Sequence, residues 1–189
     1  MINIKEAEEA KKFIKKNRKL LIEKFAKPDF YKSIVNPVTI FMAGSPGAGK
    51  TEFSKNLAKI LDKKLVRIDA DEIKEIMPQY NGKNSDVVQG ASSIGVEKLY
   101  DHILAKKLEA IVDGTFSKYD VSYKNVKRSL DHSRPVVIFY IYQDPIIAWD
   151  FTKKREALEG RMIPKSAFIE AFFAAKENVN KIKEIFRIK

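Results

Sequence analysis

The sequence contains no cysteine. That excludes disulfide staples, thiolate metal sites and thiol nucleophiles, and it suits a reducing compartment. Histidine is almost as scarce: His102 and His132 lack metal-ligand spacing to each other and read as helix-surface residues. No uninterrupted apolar run is long enough to cross a membrane. The stretch from Met1 to Phe25 alternates charge with apolar side chains, as neither a signal peptide nor a span does, so a cytoplasmic protein is expected. There is no internal repeat, low-complexity tract or interdomain linker. Acidic residues are outnumbered, 25 against 36 basic ones, for a formal charge of +11. The lysines do not cluster. Lys11-Lys12, Lys63-Lys64 and Lys106-Lys107 are scattered along the chain and mixed with Glu and Asp, which describes a solvated surface better than a polyanion-binding face.

With 44% apolar residues in 189, the chain can bury a substantial core. The densest information lies in Gly44-Ser45-Pro46-Gly47-Ala48-Gly49-Lys50-Thr51, which fits G-x-x-x-x-G-K-[ST] at every fixed position. Before it, Val38 to Ala43 is a short β-branched and aromatic run of the kind that forms a buried strand. After it, Phe53, Leu57, Ile60 and Leu61 recur at helical spacing over Glu52 to Leu61. The glycines let consecutive backbone N–H groups curl toward phosphate oxygens at the positive end of the following helix. Lys50 is placed to reach the β- and γ-phosphates, and the Thr51 hydroxyl to ligate Mg²⁺.

Strand-like and helix-like segments then alternate. An amphipathic helix is expected over residues 4 to about 25. Strands are expected at 65–68, 110–112 and 136–142, and helices near 72–77, 87–107, 121–130, 145–158 and 165–185, with a flexible loop at 81–85. Together with the phosphate-loop motif, this pattern indicates an α/β protein with a P-loop NTPase/kinase fold, its central, mostly parallel sheet of about 4–5 strands covered by helices on both faces. Residues 1–189 are expected to form a single domain, with 1–36 a helical extension packed on a core of 37–189. Trp149, Phe172 and Phe173 read as core residues.

In such a sheet the ligand lies beyond the carboxyl ends of the strands. That rule collects the phosphate loop after the first strand, Asp69 and Asp71 after the second, and Asp113 and Thr115 after the third. Acidic groups facing a triphosphate call for a metal or a substrate hydroxyl, and a kinase supplies both. Asp71 is a candidate general base, with an N-cap of the helix at 72–77 as the alternative, and the two roles are not exclusive. Asp69 reads as a substrate contact or a turn residue. Asp113 reads as a metal-associated carboxylate or a turn-forming Asp-Gly. Arg155 and Arg161 flank the Gly160 break and suit a mobile lid near 153–164 whose guanidinium groups close on the transferring phosphate; two solvated arginines at a helix end are the alternative.

Taken in order, the loop, Asp69-Ala70-Asp71 with Pro78 a few residues on, Asp113-Gly114-Thr115-Phe116, Arg155 and Gly160-Arg161-Met162-Ile163-Pro164 resemble the zeta toxin family of P-loop kinases over about residues 37 to 185. The resemblance implies ATP- or GTP-dependent, Mg²⁺-dependent phosphorylation of the sugar 3′-hydroxyl of UDP-N-acetylglucosamine or a related nucleotide sugar. It also implies a small helical antitoxin as partner. By position, Asp71 would be the base, Lys50 would hold the phosphates, Thr51 the metal, and Arg155 would be a lid arginine. Two departures bear on the acceptor. Asp113-Gly114-Thr115 stands where better-known members carry Glu-Gly-Thr, and Ala171-Phe172-Phe173 occupies the stretch where their second lid arginine falls, with Arg161 a candidate substitute only. An RNA or nucleoside kinase and a non-catalytic nucleotide-dependent binding module are the rival readings. The first is favoured by the charge and disfavoured by the lack of a compact basic and aromatic run.

Overall fold

The computed structural model describes residues 4–61, 64–160 and 162–188. In chain order the elements are α1 (Ile4–Lys16), α2 (Arg18–Phe25), β1 (Thr39–Ala43), α3 (Lys50–Ile60), β2 (Val66–Asp69), α4 (Ala70–Lys74), α5 (Ser85–Ala105), β3 (Ala110–Asp113), α6 (Tyr119–Asp131), β4 (Val136–Tyr140), α7 (Pro145–Glu159) and α8 (Lys165–Phe186). The four strands pair in the order β2-β3-β1-β4, every pair parallel. β1 is buried along its whole length, as a central parallel strand covered on both faces must be. The chain runs outward from β1 to β2, returns through β3, and places β4 on the other side of β1. The strand order therefore reverses beside β1 and β3, which is where open α/β sheets bind ligands.

The helix expected over residues 4–25 is divided at Asn17, whose φ of −102° and ψ of 38° leave the helical region. The Asn17 side-chain amide donates to the Phe13 carbonyl at 2.9 Å. This is the local competition with the backbone that makes Asn a poor helix-interior residue. α1 buries Ala10 and Ile14. In α5, Gly95 lets α4 approach closely: a Cβ there would lie 2.7 Å from the Ile73 side chain. The short helix that carries Asp71 is thus seated on α5. In the same core cluster, the rings of Tyr100 on α5 and of Phe116 pack edge-on against Phe41 of β1, with centroids 6.3 Å and 6.0 Å away.

At the amino ends of the strands, fully buried Arg134 ties the sheet together. Its Nε donates to Thr39 Oγ1 at 2.9 Å, and its Nη2 donates to the carbonyls of Val38 and Leu108. One expectation about the core needs correction. Phe173 is exposed, while Phe172 and Trp149 are only half-buried, Trp149 resting edge-on against Phe168 with centroids 5.1 Å apart. Ile60 and Leu61 at the end of α3 are likewise exposed. In both places the helix has one packed face, and among the described residues no further layer covers the other. No helix among the described residues is long and apolar enough to cross a membrane.

Candidate active site

The phosphate loop follows β1 directly. Gly44 N–H donates to the Thr115 carbonyl at 3.1 Å, which pins the start of the loop to the segment after β3. That segment is held from α8, where the Asn178 amide donates to the carbonyls of Phe116 and Ser117 at 3.0 and 2.8 Å. The Thr115 hydroxyl shares a 2.7 Å hydrogen bond with Ser117 Oγ. Gly47 has a φ of +73°, and a Cβ there would sit 2.1 Å from the Ala148 carbonyl oxygen and 2.8 Å from Thr152 Oγ1. α7 therefore rests directly on the loop backbone, an approach that no side chain permits.

Lys50 opens α3 and is buried. Its ammonium donates to the Ser45 carbonyl at 2.6 Å, across the loop. Burial pushes its pKa down to about 8; Asp113 opposes that shift, and the charge of Arg155 adds to it. Exposed Arg155, on α7, is thereby within electrostatic reach of the loop lysine. Arg161, the other expected lid arginine, lies outside the described residues.

The acidic residues fall into two kinds. Asp69 ends β2 and caps α4, its Oδ1 accepting the Asp71 N–H at 2.8 Å. The cap is thus Asp69, not Asp71, and the helix starts two residues earlier than expected. Asp71 occupies the first turn of α4, with Oδ1 accepting from Lys74 Nζ at 3.1 Å. Lys74 is itself buried and donates also to Ser85 Oγ at 2.7 Å, at the start of α5. The side chain of Asp71 is 38% exposed, against 11% for Asp69 and 4% for Asp113. Of the three, Asp71 is the carboxylate open to an incoming molecule.

Asp69 and Asp113 are register partners across β2 and β3. Burial, and then the charge of Asp69, raise the Asp113 pKa above the ordinary carboxylate value, while Arg67 and Ser54 oppose the rise. Arg67 Nη1 donates to Asp69 Oδ2 and to Asp113 Oδ2, each at 2.9 Å, and Nη2 pairs with Glu72. Ser54 Oγ lies 3.0 Å from both Asp113 Oδ2 and the Thr51 carbonyl. The expectation that these carboxylates need a metal or substrate hydroxyl as their counterpart omitted Arg67, which already supplies a positive charge. A signal for it existed, because a charged residue in a short apolar strand requires a partner when buried.

No group of three His, Asp or Glu side chains among the described residues could hold a metal unaided. A Mg²⁺ bound with a nucleotide needs less, since phosphates and water supply most of its ligands. The residues present fit that smaller demand. Both donors to Asp113 engage Oδ2, so Oδ1 accepts from no described residue, and the half-buried Thr51 hydroxyl at the start of α3 is equally uncommitted to the described residues.

Residues 23–189 match the family profile described as Zeta toxin. A solved structure from the PezAT chromosomal toxin–antitoxin system of Streptococcus pneumoniae superposes with a TM-score of 0.74 at 20% identity, covering 94% of this chain and 74% of that one. The AvrRxo1-ORF1:-ORF2 complex with ATP superposes with a TM-score of 0.64 at 16% identity, over 94% of this chain and 58% of that one. Among curated proteins, the ATPase subunit HslU of an ATP-dependent protease from Thermoanaerobacter pseudethanolicus is 28% identical over 101 residues, 42% of this chain. The chain spans about a fifth of the length of that relative, 22%.

Proposed function

The chain belongs to the zeta toxin family of P-loop kinases, and from that premise we propose that it transfers the γ-phosphoryl group of ATP to a hydroxyl of a small molecule, a nucleotide sugar of the UDP-N-acetylglucosamine type. The observation that carries this reading is that a complete phosphate loop after β1 and Asp71 after β2 stand at the carboxyl edge of one parallel sheet, with Asp71 far more exposed than Asp69 or Asp113.

In the proposed reaction the backbone N–H groups from Gly47 to Thr51 and the ammonium of Lys50 hold the triphosphate. Asp71 accepts the proton of the acceptor hydroxyl as its oxygen bonds to the γ-phosphorus and ADP departs. Lys74 fixes the rotation of the Asp71 carboxylate by holding Oδ1. Arg155, carried on the helix that packs against the loop, balances charge on the phosphoryl group in flight. A Mg²⁺ held by Thr51 and, directly or through water, by Asp113 would neutralise triphosphate charge. Asp69 and Thr115 line the acceptor side. The likeness to a toxin–antitoxin structure supports a small protein antitoxin as partner.

The test incubates the purified chain with ATP and Mg²⁺, adding UDP-N-acetylglucosamine, a single-stranded RNA, or no acceptor, and follows ADP and acceptor mass. Acceptor-dependent ADP with a phosphorylated sugar nucleotide is expected. Equal ADP without acceptor would indicate an ATPase or switch, and labelled RNA would replace the small-molecule assignment.

A further inference from the structure

Arg67 stands two residues before Asp69 on β2, so the two side chains share a face of the sheet. On that face Asp69 and Asp113 are register partners in adjacent strands, about 5 Å apart along the hydrogen-bonding direction. Two carboxylates so close repel, and both repel a triphosphate. We propose that Arg67 is a positioning residue and the internal counter-ion that lets this acid-lined crevice accept a nucleotide; the inference rests on the kinase reading above.

A single guanidinium reaches both halves of the site. Through Asp69 it holds the cap of α4, because Asp69 gives Oδ2 to Arg67 and Oδ1 to the Asp71 N–H. Through Asp113 it meets Ser54 on α3, within 3.0 Å of the carbonyl of Thr51. Its second nitrogen pairs with Glu72 of α4. The Arg67 side chain is 13% exposed, so this charge is screened by the protein more than by water. Burial works against ionisation, yet the bond to Asp69 and the charges of Asp69, Glu72 and Asp113 hold the guanidinium pKa above its ordinary value. Lysine would supply the charge without the fork that reaches three acids at once.

The test uses the full chain and reads ATP affinity by displacement of a fluorescent ATP analogue in the presence of Mg²⁺, alongside turnover. Arg67→Met should weaken ATP binding on the order of tenfold or more by leaving surplus negative charge in a poorly screened crevice. Adding Asp69→Asn should recover most of that loss, since it removes one negative charge while Asn still caps α4. Such rescue by a change that adds no contact would not follow from a packing role. Arg67→Lys, the variant to read if Arg67→Met does not fold, should keep ATP affinity within about threefold and lose about tenfold in turnover. Unchanged ATP affinity in Arg67→Met, or a loss that Asp69→Asn does not repair, would overturn the proposal, as would wild-type turnover in Arg67→Lys. If the wild-type chain itself fails to bind ATP, it is the kinase reading that falls.

Discussion

Replacing Gly47 by alanine tests whether α7 rests on the phosphate loop. The new Cβ would meet the Ala148 carbonyl oxygen at 2.1 Å, whereas relaxed contacts of this kind lie near 3.5 Å, so loop or helix must move by about 1 Å or more. The backbone there has a φ of +73°, which costs a residue with a side chain about 1–2 kcal/mol. Overpacking adds about 1–3 kcal/mol. If the strain stays in the folded state, a loss on the order of 2–5 kcal/mol should lower the melting temperature by roughly 5–15 °C for a chain of this size. If the loop yields instead, the phosphate cradle shifts, and a displacement of that size can cost about 10²-fold in rate. Thermal melting with and without ATP, together with turnover, separates the two. Gly49→Ala is the internal control for the melt without nucleotide: its φ is +86°, but a Cβ there meets no other protein atom within 4 Å, so it carries the backbone cost alone. A Gly47→Ala protein that melts like Gly49→Ala and turns over like the wild type would refute the contact between loop and helix.

Lys50→Ala should abolish turnover and weaken ATP binding in a folded protein, because a point charge beside the β- and γ-phosphates is removed while the loop backbone stays; equilibrium binding and turnover read this together. Arg155→Ala should lower turnover on the order of 10²-fold while changing ATP affinity far less, a split seen by comparing kcat with the nucleotide dissociation constant. Arg134→Met should destabilise the fold by roughly 2–4 kcal/mol without touching the site, since it leaves the Val38 and Leu108 carbonyls without their guanidinium donor; a urea melt measures it.

The loop was legible in the sequence because its chemistry is local: glycines, a lysine and a threonine at fixed offsets between a strand and a helix. The parallel sheet was legible from short apolar runs alternating with helices, and its strand ends brought Asp69, Asp71, Asp113 and Thr115 to one edge. What escaped depends on contacts between distant segments. Arg67 meets Asp113 only because β2 and β3 pair in a particular register, and Ser54 joins them from α3. In Asp69-Ala70-Asp71 both aspartates can cap a helix, and only the start of α4 at Ala70 decides between them. Phe173 has the composition of a core residue but sits where no described element covers α8.

The measurement that bears most directly on the proposed chemistry is phosphate transfer by Asp71→Asn, followed as the 80 Da mass gain (approximately) of the acceptor and paired with ATP affinity. Asp69 rather than Asp71 caps α4, so the substitution leaves the cap untouched. The expected result is ATP binding close to that of the wild type, with transfer lower by about 10²–10⁴-fold, the range for a positioned general base. Undiminished transfer in a folded Asp71→Asn protein would contradict the assignment of Asp71 as the base.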